Sequence, residues 1–189
     1  MNAFAPIAAV STMPDWDSAQ KQVHLWLGQC LDIFTEAESK VAEALLLLAR
    51  SFPKYVKLGK AHSFGHKLQL LCEILQNQPG IEAKRARLAV QSLDRFQPFA
   101  ELRNNLCHGA LTVYVTRDGR WLAELKMVQL TASTITTSQV MIDQCAAEHQ
   151  LKGLRSVVQS LSAQLKNLCD SLDVQEASTP SAPVAQASR

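Results

Sequence analysis

Along the first third of the chain, Val23, Trp26, Cys30, Phe34, Ala37, Val41, Leu45 and Leu48 recur at intervals of three and four. At 100° per residue that spacing gathers them into one apolar stripe. It predicts a helix from about Asp15 to Arg50, ended by Pro53 and Gly59. Phe64, Leu68, Leu71, Cys72 and Leu75 predict a second helix over Ser63 to Gln78, closed by Pro79-Gly80. A third is expected from about Ile81 to Phe96. Pro98 should kink it or restart it as a short helix ending near His108, with Gly109 in the left-handed position beyond.

The pattern then changes period. Leu111-Thr112-Val113-Tyr114-Val115-Thr116 alternates, Asp118-Gly119 suits a type I′ turn, and Trp121 to Val128 supplies a return strand. Thr136 with Gln139 three residues on reads as a capping box opening the last helix. That helix continues through Leu154, Val158, Leu161, Leu165, Leu168 and Leu172. The expected fold is therefore mainly α: an antiparallel four- to five-helix bundle with one short β-hairpin at about 111–128. Residues 1–14 read as a flexible N-terminal segment, 15–173 as the bundle, and the Pro/Ser-rich 174–189 as a disordered tail.

Composition narrows the class. With 47% apolar residues among 189, there is enough material for a core. The longest apolar run, Ala44 to Ala49, falls far short of the ~20 residues a membrane span needs. It still exceeds what one helix face requires, so part of it is expected to pack across subunits. No basic residue precedes Lys21, which argues against a secretory signal. Five cysteines, odd in number and without a CxxC pair, are expected as reduced thiols in a cytoplasmic protein. Trp16, Trp26 and Trp121 read as packing residues, and His24 and His149 as structural or surface ones.

The chemistry concentrates in Arg103-Asn104-Asn105-Leu106-Cys107-His108-Gly109. On a helix, Phe99, Leu102 and Leu106 fall on one side and must face the core. Asn104 and His108 are i, i+4 neighbours on nearly the opposite side, where the amide can orient the imidazole. Arg103 lies on the flank. A histidine exchanges protons near neutral pH, and a guanidinium holds two phosphate oxygens and offsets charge in a transition state. The set suits a phosphodiester whose own 2′-hydroxyl is the nucleophile. No acidic cluster accompanies it to suggest a divalent metal.

An Arg, then a polar residue, then His four to six residues after the Arg, late in a helical bundle, resembles the signature of the HEPN superfamily (higher eukaryotes and prokaryotes nucleotide-binding). Arg103, Asn104 and His108 match its three positions. The resemblance implies a homodimer whose two motifs face one cleft, and metal-independent endoribonuclease activity without a cofactor, in toxin–antitoxin, defence or RNA-processing settings. The alternative is a catalytically silent bundle that binds RNA or protein, or an accessory subunit to a nucleotidyltransferase. Implied partners are thus a second copy, RNA, and an antitoxin or nucleotidyltransferase, with no membrane.

Charge adds to this picture. Residues 50–103 carry ten basic and four acidic side chains within a chain of net charge +2. Lys54, Lys57, Lys60 and Lys67 lie beside Tyr55, His62, Phe64 and His66. Cations interleaved with aromatics suit a single-stranded backbone with stacked bases; a solvated basic loop over core aromatics fits the same pattern. His62 and His66 form an i, i+4 pair without a third ligand.

Overall fold

A computed structural model describes residues 15–54, 56–130 and 133–178. The described chain is mainly helical. Its order is α1 (Trp16–Ser51), a 3-10 turn (Leu58–Lys60), α2 (Phe64–Asn77), α3 (Ala83–His108), β1 (Ala110–Val115), β2 (Trp121–Leu130), β3 (Ile135–Asp143) and α4 (Gln144–Ser178). The described backbone divides into two compact units, residues 15–29 with 104–151 and residues 30–103 with 152–178.

The second unit is helical. Its α1 stripe, from Cys30 through Phe34, Ala37, Val41 and Leu45 to Leu48, is buried, as is the α4 ladder Leu154, Val158, Leu161, Leu165, Leu168 and Leu172. Phe96 of α3 lies edge-on to Phe34 at 6.1 Å and to Phe64 of α2 at 5.6 Å, the favoured T-shaped geometry. α2 begins where the Ser63 hydroxyl accepts from the His66 amide at 3.3 Å. It ends before Gly80, whose φ of +98° suits glycine.

α3 is a single helix that passes through Pro98, where a kink or restart was expected. Pro98 cannot donate to the carbonyl of Asp94, but both residues are exposed, so water can serve that carbonyl. Burial of Phe96 on one side and Leu102 on the other outweighs the ~3 kcal/mol that an internal proline costs.

The first unit is built on a three-stranded antiparallel sheet in the order β1-β2-β3. In β2, Trp121, Ala123, Leu125 and Met127 are buried in strict alternation. Trp26 of α1 packs against Trp121 with centroids 6.0 Å apart, and its indole N–H donates to the Ala147 carbonyl at 3.1 Å. The single hairpin expected at 111–128 is therefore a meander. Residues 135–143 form β3, where the last helix was expected to begin. Val140 and Ile142 lie opposite Leu125 and Ala123, and this period-two apolar pair with the β-branched Ile135, Thr136 and Thr137 fits a strand. The Thr136–Gln139 spacing caps nothing. α4 starts instead at Asp143, whose carboxylate accepts from the Ala146 amide at 2.8 Å.

The β1–β2 turn also differs from the type I′ expectation. Gly119 has φ +82°, while no described non-glycine residue has positive φ. The Gly119 amide donates to the Thr116 carbonyl, and the Thr116 amide to the Arg120 carbonyl. That is a three-residue loop with glycine in the left-handed position, which spares Asp118 the strain of a type I′ turn. α4 reaches Ser178, so the first five residues of the expected tail are helical. The expected flexible segment 1–14 and the rest of the tail, 179–189, lie outside the described residues. No helix among the described residues is long and apolar enough to cross a membrane.

Candidate functional site

The seven-residue motif occupies the last turns of α3 and its exit. Leu102 and Leu106 are buried and fix the helix phase, so Asn104, Cys107 and His108 are turned to the exposed side. Asn104 and His108 are one turn apart on that side. Asn105 is one of two polar residues buried among the described chain, 4% exposed. Sequence reading assigned it no role.

Gly109 does not take the left-handed conformation expected of it; the positive-φ glycines are Gly80 and Gly119. Its requirement is close approach. A β-carbon at this position would lie 2.4 Å from the Asn105 carbonyl oxygen, to which the Gly109 amide donates at 2.8 Å. Only glycine lets the chain leave α3 directly into β1 here.

Arg103 has a different environment. Its side chain is 24% exposed, and the guanidinium lies 5.9 Å over the Phe64 ring, a cation–π contact. Glu38 of α1 faces it with Oε2 at 3.7 Å, while the other carboxylate oxygen, Oε1, accepts from Lys67 Nζ at 2.8 Å. The guanidinium donates no hydrogen bond among the described residues. Its five N–H donors are thus unspent among the described residues.

Glu38 was missed in the sequence because it follows Ala37 within the buried α1 stripe and nothing local reveals its partners. Arg103 and His108, five residues apart, diverge by about 140° around the helix axis.

The basic stretch is only partly available. Lys54 and Lys57 are exposed, whereas Lys67 is committed to Glu38; the Lys60 side chain and Tyr55 lie outside the described residues. Phe64 is 4% exposed, so it serves the core and the Arg103 contact and is closed to a stacked base. His62 and His66 are exposed with ring centroids 4.4 Å apart, and His66 Nδ1 shares a 2.6 Å hydrogen bond with the Ser63 hydroxyl. Among the described residues, no group of three or more His, Cys, Asp and Glu could hold a metal ion. A groove of about 550 Å³ between α2 and α3 is lined by His66, Gln69, Cys72, Asp94 and Gln97.

All five cysteines are free thiols. Burial pushes the Cys30 thiol up to about 12. The thiols of Cys72 and Cys169 are also raised, first by desolvation and then by neighbouring carboxylates. None of these three is an activated nucleophile. Trp26 and Trp121 pack as expected, but Trp16 is half exposed. No family model, curated protein or solved structure matches the chain.

Proposed function

We propose that this chain is a HEPN-type, metal-independent endoribonuclease of the cytoplasm, its helices forming an antiparallel bundle, and that it acts as a homodimer with a composite Arg/His site. The observation that carries the reading is the state of Arg103. Its guanidinium is oriented by Glu38 and Phe64 yet spends no donor among the described residues, on the same helix as an exposed Asn104–His108 pair.

In this reading His108 takes the proton of the 2′-hydroxyl as that oxygen attacks the adjacent phosphorus, and a protonated donor returns one to the departing 5′-oxygen. Arg103 neutralises charge developing on the phosphoryl oxygens. The divergence of Arg103 and His108 within one chain supports a composite cleft, in which a guanidinium from one protomer and an imidazole from its partner meet the same phosphate.

The test is incubation of the purified wild-type protein and His108→Ala with mixed RNAs in excess EDTA. Cleavage by the wild type alone, leaving 2′,3′-cyclic phosphate ends and sparing DNA, is the expected result. Undiminished cutting by His108→Ala, or equal cutting of DNA, rules the mechanism out.

A separate observation favours the second reading, a bundle that binds a protein such as an antitoxin or a nucleotidyltransferase. The outer face of the sheet leaves Tyr114, Val128, Ile135 and Met141 exposed among Glu124, Lys126 and Gln139, a mixed apolar and polar surface of the kind a protein partner covers. Wild-type inactivity on diverse RNAs would select it.

A further inference from the structure

Glu38, Lys67 and Arg103 form a charge triad contributed by α1, α2 and α3, all within the helical unit. Its geometry is unequal. The carboxylate makes a hydrogen-bonded ion pair with Lys67 at 2.8 Å and stands 3.7 Å from the guanidinium, beyond hydrogen-bond range. All three side chains are a quarter to a third exposed, so solvent and an incoming anion can reach them. Two cations against one carboxylate leave an excess positive charge. That excess sits on a guanidinium whose planar fork matches a phosphate bidentately.

We propose that Glu38 is a positioning residue that holds Arg103 by charge alone, and that Lys67 keeps the Glu38 carboxylate from closing onto Arg103, leaving the guanidinium open to a backbone phosphate of single-stranded RNA. A carboxylate free to form the bidentate pair with Arg103 would occupy the donors a phosphate needs. Lys67 prevents this by drawing one oxygen away. Its contribution to RNA binding is then indirect, through Glu38. This inference rests on the proposed RNA-binding role of Arg103 but does not require cleavage.

The experiment measures binding of a short 2′-O-methyl oligoribonucleotide, which cannot be cut, by fluorescence anisotropy across a salt series. The full chain is used as wild type, Arg103→Met, Glu38→Gln, Lys67→Met and the Glu38→Gln/Lys67→Met double variant. Arg103→Met should bind more weakly and lower the salt slope by about 0.7, the share of one phosphate contact on a single strand. Glu38→Gln should bind about three- to tenfold more tightly, because the competing charge is gone. Its kcat on cleavable RNA should fall by a similar factor, because the guanidinium has lost its anchor.

Lys67→Met should weaken binding by about three- to tenfold in the wild-type background and much less in the Glu38→Gln background, a coupling the double-mutant cycle reads directly. A purely structural role for Glu38 would instead lower affinity and activity together. Glu38→Asp keeps the charge and retracts the carboxylate by one methylene. It should shift binding in the same direction as Glu38→Gln but by less, which preserves the test if the Gln variant does not fold.

Unchanged or weaker binding by folded Glu38 variants overturns the proposal, as does an equal Lys67→Met effect in both backgrounds. Those failures leave the ribonuclease reading intact if wild-type cleavage is seen. The expected binding pattern without wild-type cleavage keeps the anion site and removes the ribonuclease.

Discussion

Arg103 and His108 stand five residues apart on one helix, yet they are secured in different ways. Arg103 is fixed by residues distant in sequence: Glu38 from α1, Phe64 from α2 and, through Glu38, Lys67. His108 is exposed, and Asn104 stands one turn back on the same side without a hydrogen bond to the imidazole among the described residues. A permanent cation can be held in advance, because a guanidinium that keeps its charge tolerates a half-buried, ring-stacked seat. An imidazole that must gain and lose a proton near neutrality works best where solvent keeps both forms accessible. In the proposed ribonuclease, this contrast would separate an electrostatic element held in advance from a proton-transfer element open to solvent.

The widest test of that contrast is catalytic. His108→Ala and Arg103→Ala should each lower single-turnover cleavage of RNA by ~10²–10⁴, the usual cost of losing a general acid–base or a transition-state donor. Near-wild-type rates for either variant would remove it from the site. Asn104→Ala should come next, at about tenfold, because it orients His108 without transferring a proton. Single-turnover rates on RNA check this, and a wild-type rate would deny Asn104 its orienting role.

Gly109→Ala should destabilise the fold by about 1–3 kcal/mol, since a β-carbon 2.4 Å from the Asn105 carbonyl oxygen forces backbone at the α3 exit to move. An unaltered urea midpoint would mean that this exit is softer than its geometry. The smallest effect is expected of Cys107→Ser. This exposed residue shares the His108 side of the helix without touching the core, so stability should stay within about 0.5 kcal/mol of wild type.

A test remote from the motif uses Cys30. Its thiol ionises in the unfolded chain at its ordinary value, ~8.5, but in the folded chain only at about 12 because burial disfavours the thiolate. The folded state therefore retains a proton that the unfolded state releases. Stability from this group is constant at neutral pH and is lost as pH rises from the unfolded value toward the folded one. Chemical denaturation in alkali should show a falling midpoint in the wild type and a shallower fall in Cys30→Ala. Parallel slopes would mean that Cys30 is open to solvent.

Long, strongly periodic stretches were legible in the sequence because one helix face was enough to encode them. α1 ends within a residue or so of the expected bounds, and Ser63 caps α2 through its own hydroxyl. The exposed side of α3 also followed from spacing, since Leu102 and Leu106 alone fix its phase. Thr136 and Gln139 mimic a cap and predict the start of a helix where β3 lies, while the Val140–Ile142 pairing that makes it a strand depends on β2. The local cost of Pro98 predicts a break, and burial of Phe96 and Leu102 lies outside any local count.

What the sequence by itself determined was the set of helices, the β-rich segment after residue 109 and the motif Arg103, Asn104 and His108, because periodicity and residue chemistry are carried by near neighbours. What only the tertiary structure decided was the state of those residues. It spent Lys67 on Glu38, buried Phe64 beneath Arg103 and left the guanidinium without a hydrogen bond among the described residues. Ion pairs between helices depend on how side chains from separate turns converge, and that convergence has no period in the chain.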